Sequence, residues 1–345
     1  IAAAIRAGAY PFHLWLLPTQ NEQVNLSERL LDQMVSVLCG LWLLGWTVNL
    51  GGAEVLQRPE VLLLILLMML GSAIAGLTAP DAPNHTTFVL ITSTTTAALS
   101  GALALSNGPA ALIWPTTVFA LGGGLWLIGE RVWQEWNVAY PVYIGAASLA
   151  SIPFTPGFLI LPSLSRLLTT EPFYLTLFAL YVLAQMIQIA AMVRDTGIPE
   201  RHSTPQSPFL LARQLISCTA LGIGLAIVSY RPDRIAAFAD LENAVPLLLG
   251  NPPVMVADTV VWLTLGLPLV LGILFAMFTP RFLYYLSEWP ERISQFTRLE
   301  WLFQLSWWSA NRISDTWGNA VGVVEGAGYI GWLVVFVLFG YLLVS

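Results

Sequence analysis

The sequence predicts an all-α protein embedded in a bilayer, on three observations. Hydrophobic residues make up 57% of the 345-residue chain and charged residues only 10%, against about 25% charged in a typical soluble domain. The mean hydropathy is +0.72, more apolar surface than a water-soluble globule can hide. The apolar residues also fall into runs of about 20, the length a helix needs to cross the hydrocarbon core. The 14 Trp residues suit the same setting, because the indole anchors at headgroup level.

In chain order, the runs predict about nine spanning helices, near 26–48, 60–79, 86–106, 109–129, 140–162, 172–193, 208–229, 254–278 and 326–344. A shorter apolar segment, 1–18, comes first, and Pro11 divides it like the end of a broken helix. It starts at Ile1 without the charged region of a signal peptide, so sequence upstream of Ile1 is expected. Residues 151–157 read Ser-Ile-Pro-Phe-Thr-Pro-Gly. Pro153 and Pro156 each remove a backbone donor, so a broken helix is expected there. Such a break cannot face lipid. It is either a kink used for packing or the broken helix of an ion or solute carrier. The connection 279–325 holds Arg281, Arg292, Arg298 and Arg312 among five Trp, which predicts a helix lying in the membrane interface. The positive-inside rule places that connection in the cytoplasm.

Several function classes fall away. The net charge of −6 is scattered and forms no basic patch for nucleic acid. Cys39 and Cys218 lie in apolar runs and read as buried thiols with no metal or disulfide pattern. His13, His85 and His202 are too far apart for a zinc or bis-histidine haem motif. Gly122, Gly123 and Gly124 follow no strand and read as helix-packing residues, not as a nucleotide loop. All 14 basic residues are Arg. Arg stays protonated, so no lysine can relay protons through this chain.

The segment from Arg6 to Pro18 (Arg-Ala-Gly-Ala-Tyr-Pro-Phe-His-Leu-Trp-Leu-Leu-Pro) resembles a hallmark of the antiporter-like membrane subunits of complex I and of Mrp-type cation/proton antiporters. Pro11, Phe12, His13, Trp15 and Pro18 fit the motif, and Arg6 stands where the family carries a central lysine. Residues Gly145 to Phe158 resemble the family's broken helix, with Pro153, Pro156 and Gly157 at the break. Arg194, Ser207-Pro208 and the stretch Val324 to Trp332 are similar to later helix ends and to the last helix of larger members. The resemblance implies three regions: 1–18 as the end of a first repeat, 19–229 as a second repeat, and 230–345 as an extension with the interfacial helix and a final span.

It further implies a subunit that moves protons or cations, coupled to electron transport. The subunit would hold no cofactor or metal of its own, sit in a bacterial plasma membrane and be partnered by other membrane subunits. Two family charge positions fall on Leu121 and Leu161. The candidates left for an ion path are Arg6, His13, Asp32 and Arg166. Arg6 either snorkels or pairs with an acid of the upstream half that the family carries, and His13 is either structural or a proton carrier. Asp32 lies four residues from Glu28 and three from Arg29. It either joins a local ion pair with them or forms a buried pair with Arg6. The alternative function is a degenerate paralogue that keeps the fold as a scaffold, or serves another transport task, without its own relay.

Overall fold

The computed structural model describes residues 2–13, 16, 30–47, 50, 53–79, 82–104, 112–169, 171–195, 208–230, 259–285 and, further on, 301, 304, 305, 307–312, 314 and 315. Among these there is no strand. The chain divides into a unit Ile1–Arg298 and a unit Leu299–Ser345.

In the first unit, α1 (Ala2–Arg6) leads into the His13 turn, whose Tyr10–Pro11 peptide is cis. Helix α2 runs over Leu31–Thr47. Helix α3 (Pro59–Thr78) has Pro59 in its first turn, where its missing N–H costs nothing. Helix α4 is Ala82–Ala104. Helix α5 begins at Ile113–Val118, passes through a π-helical turn Phe119–Gly123 and continues as Gly124–Trp136. It ends at Asn137, which takes the left-handed conformation with φ 59° and donates to the Trp133 carbonyl. Helices α6 (Tyr140–Leu149), α7 (Pro172–Asp195), α8 (Pro208–Tyr230) and α9 (Thr259–Tyr285) follow.

Among the described residues, 5 helices are long and apolar enough to cross a membrane: Pro59–Thr78, Ala82–Ala104, Pro172–Arg194, Leu211–Tyr230 and Thr259–Phe278. The expected span 26–48 is represented by the shorter apolar helix Leu31–Thr47. The span expected at 109–129 runs on, helical, to Trp136. The span expected at 140–162 is helical only to Leu149 before it breaks. The span expected at 326–344 lies outside the described residues. Helix α9 continues to Tyr285, past the expected end at 278.

Helix α4 is the axis of the first unit. It packs against α2, α3, α5, α7 and the short helix Leu161–Leu164. The share of its most apolar window buried in protein is 89%, against 22% for α8 and 28% for α9, which places those two at the rim. A helix so enclosed needs no apolar face toward lipid, and α4 carries Thr86, Thr87, Thr92, Ser93, Thr94, Thr95, Thr96 and Ser100. Thr and Ser are weak helix formers because their hydroxyls compete for the backbone. Here that tendency is turned inward: Thr92, Ser93 and Thr94 each donate 2.8 Å bonds to the carbonyls of Phe88, Val89 and Leu90, four residues back.

The break lies where the two prolines stand. After Leu149 the chain reverses through Ser151 and Phe154, whose φ values are 59° and 66°. It resumes as short turns Pro156–Ile160, Leu161–Leu164 and Ser165–Leu167. Backbone groups freed by the break are retaken locally: the Ile152 N–H donates to the Ala147 carbonyl at 2.9 Å and Thr155 Oγ1 to the Ile152 carbonyl at 2.6 Å. Gly157 allows the return. A Cβ there would stand 1.9 Å from the Ser148 carbonyl oxygen, a distance no side chain tolerates.

In the second unit, the described residues between 301 and 315 are helical, with Trp301, Leu305, Trp307 and Trp308 exposed. The Arg312 guanidinium lies 5.6 Å from the Trp308 ring centre.

Candidate functional site

Polar side chains meet around α4 along most of its length. Thr86, Ser93 and Ser100 are spaced seven residues apart and so share one face, spanning about 21 Å at 1.5 Å per residue. Each has a partner on a different element. The Thr86 hydroxyl donates to Glu130 Oε2 of α5. Ser93 Oγ accepts from Gln188 Nε2 of α7 at 2.8 Å. Ser100 and Ser163 hydroxyls lie 2.7 Å apart. On neighbouring faces, Gln33 of α2 donates to Thr87 Oγ1 at 2.7 Å, and the Thr92 and Ser72 (α3) hydroxyl oxygens lie 3.0 Å apart. All of these side chains are buried. Gln33 Oε1 and Gln188 Oε1, together with Gln185 Oε1 nearby on α7, are buried without a protein partner. Buried polar atoms are satisfied by protein or by internal water, so this core stabilises water more than a pure leucine core would.

The two ends of the axis differ. At one end, α4 begins beside the last turns of α3, α5 and α7. His85 Nδ1 lies 2.9 Å from the Gly76 carbonyl, and Arg194 donates to the Leu77 and Ala79 carbonyls that α3 leaves open. Glu130 takes a second bond from Gln134 Nε2 at 3.1 Å. Arg131 pairs with Glu135, and Gln214 of α8 joins Glu135 Oε2 at 2.9 Å to Trp136 Nε1 at 3.2 Å. At the other end Arg166 donates to the Leu103 carbonyl at 2.8 Å, inside the last turn of α4.

The structure brings some of the predicted residues to this axis and leaves others off it. His13 is 0% exposed and stacks on Tyr10 with ring centres 4.9 Å apart and against Phe88 of α4 at 5.1 Å. The Pro11 backbone lies close, yet neither ring nitrogen reaches a partner with hydrogen-bond geometry. Arg166 caps the far end of the axis. Arg6 and Asp32 are both exposed, so the buried Asp32–Arg6 pair does not form. Their charges are stabilised better at the surface than in an apolar interior. Glu28 and Arg29 lie outside the described residues. Pro153, Pro156 and Gly157 make the break described above. Leu161 is 1% exposed in the main apolar cluster, and Leu121 packs against that cluster from its edge. Cys39, expected to be buried, is exposed on α2, whereas Cys218 is buried. Cys39 shares an exposed face of α2 with Val35, Trp42 and Trp46.

Leu121 belongs to the π turn Phe119–Gly123, and Asp32 to a second one, Leu31–Val35. The two turns touch: a Cβ on Gly123 would lie 3.6 Å from Met34 Sδ. π turns in α-helices concentrate at functional sites.

Sequence reasoning missed Glu130, Gln33 and Gln188. A signal existed for the axis: the run Thr92-Ser-Thr-Thr-Thr96 is polar inside an otherwise apolar segment. Glu130 was hidden because the apolar run ends at Gly129, one residue before it, although the helix does not. Among the described residues, no group of three or more His, Cys, Asp or Glu could hold a metal ion. No protein-family model matches the chain, and no curated protein matches it.

Proposed function

We propose that this chain is a membrane subunit of a complex I-like NADH:quinone oxidoreductase or a related assembly, and contributes to proton or cation translocation coupled to electron transport. The observation that carries the reading is the buried hydroxyl stripe of α4, which joins Glu130 at one end to the Ser163 and Arg166 turns at the other. Ionisable and polar side chains inside a membrane bundle are costly and mark ion paths. The motifs around His13 and Pro153 point to the same family. In this reading the chain crosses the bilayer about nine times. The Trp- and Arg-bearing part of 279–325 lies along the interface, and other membrane subunits of a bacterial plasma membrane complex surround it.

A second reading, a scaffold paralogue without its own relay, is favoured by one observation. Leu161 and Leu121, which replace the family's charges, are integrated into the apolar core.

The two readings part in the assembled complex. With His13→Ala or Gln188→Leu, translocating activity falls in proton movement per electron while quinone-linked electron transfer continues. Unchanged proton movement in both variants favours the scaffold.

A further inference from the structure

We infer that Glu130 is the carboxyl at which the α4 axis loads and unloads its proton, an inference that rests on the translocation reading above. Glu130 is 3% exposed and lies two turns before the end of α5. Its two oxygens face in different directions chemically. Oε2 accepts from Thr86, the first hydroxyl of the α4 stripe, so the carboxyl is bonded directly to the axis. Oε1 accepts from Gln134, one turn nearer the helix end, where Arg131, Glu135, Gln214 and Trp136 form a polar rim. The Arg131 side chain is 45% exposed and the Glu135 side chain 6%, so this rim passes from surface to interior within one helical turn. Glu130 is the next acid inward, between rim and stripe.

The chemistry suits a proton. A threonine hydroxyl both donates and accepts. It donates to the carboxylate and, after rotating, accepts from the carboxylic acid. Glu130 therefore gains or loses one proton without a change in covalent partner, electron count or backbone position. The Thr86 and Gln134 bonds to Glu130 both come from donors, the pattern of a carboxyl that exchanges a proton. The group stands nine residues beyond Leu121 on the same helix. The protonatable centre of this chain is thus displaced from the family position toward the end of the bundle.

The test uses the whole complex in proteoliposomes, with proton translocation and electron transfer measured together for Glu130→Gln, Glu130→Asp and Gln188→Leu. A second arm treats the unmodified complex with dicyclohexylcarbodiimide, which reacts with carboxylic acids in apolar surroundings, and locates adducts by peptide mass spectrometry. The inference predicts that Glu130→Gln loses translocation but not electron transfer, that Glu130→Asp restores part of it, and that an adduct on Glu130 appears in step with inhibition. Replacing sodium by choline leaves translocation unchanged. If Glu130→Gln pumps normally while Gln188→Leu does not, the axis stands and the role of Glu130 is overturned. If neither variant alters pumping, the translocation reading fails as well. Should Glu130→Gln fail to accumulate, the carbodiimide arm decides: inhibition without an adduct on Glu130 overturns the inference. A sodium requirement overturns the assignment to protons.

Discussion

The bond between Thr86 and Glu130 can be weighed by a double-mutant cycle. Thr86 is 0% exposed and Glu130 3%, so the bond is made out of reach of bulk solvent. Thr86→Val keeps shape and removes the hydroxyl that α4 donates to Oε2. A hydrogen bond to a charged group contributes about 1.5–3 kcal/mol net in proteins. Side-chain bonds between membrane helices average nearer 0.6 kcal/mol, with a maximum of about 1.7. Glu130 is enclosed by protein and not by lipid, which favours the upper part of that range. Thr86→Val is therefore expected to destabilise by about 1–2 kcal/mol, a factor of roughly 5–30 in the folded population. The second single variant, Glu130→Met, removes both acceptor oxygens and with them the bond. The assay is unfolding in mixed micelles by titration with sodium dodecyl sulfate, followed by tryptophan fluorescence. The coupling energy of the cycle should exceed about 0.5 kcal/mol, the size at which contacting residues separate from independent ones. Additive single effects would refute the reasoning that this bond ties α4 to α5.

Three further outcomes follow from the packing. Gly157→Ala sets a Cβ 1.9 Å from the Ser148 oxygen and 2.9 Å from Ser151 Cα, both backbone atoms that cannot turn aside. It should lower stability by at least about 2 kcal/mol and reduce accumulation in membranes, read by immunoblot and micelle unfolding. Leu161→Lys puts an ammonium at a site 1% exposed amid apolar side chains. An unpaired buried ion costs several kcal/mol, so the variant should fail to accumulate, and normal levels would show that a charge is tolerated at the break. Arg194→Met removes the donors to the Leu77 and Ala79 carbonyls. Thermal unfolding in detergent should shift down, with a cost of about 1–3 kcal/mol, and Arg194→Lys should restore only part of it because lysine lacks the planar fork.

Apolar run length made the helices of the first unit legible in the sequence, because a bilayer imposes it directly. Pro59–Thr78, Ala82–Ala104 and Pro172–Arg194 follow those runs within a few residues. Pro153 and Pro156 announced the interruption of α6, since a proline's missing donor acts locally. Run length says less where the helix leaves the apolar zone: α5 carries on through Glu130, Arg131 and Glu135 because α6 and α8 pack on its last turns. Nor does it say which helix lies at the centre. Helix α4 is less hydrophobic than α3 or α9, and it is enclosed because its hydroxyls find partners on the helices around it. Those partners are 20 to 95 residues away in sequence, as for Thr92 with Ser72 and Ser93 with Gln188, so no local pattern reveals them. The buried pair of Arg6 and Asp32 fails for the same reason in reverse. That pair is one of two alternatives for Asp32, and both residues stand on exposed faces.

If the α4 stripe carries protons, it is a water-accessible path and not a sealed polar core. Cysteine accessibility reads this directly, in a background with Cys39→Ser and Cys218→Ser. Ser93→Cys lies on the stripe beside Gln188, whereas Leu99→Cys replaces a side chain 0% exposed in the apolar cluster. In native membranes, a small water-soluble methanethiosulfonate should modify Ser93→Cys and leave Leu99→Cys untouched. If Ser93→Cys is as unreactive as Leu99→Cys, the stripe is dry and the path does not exist.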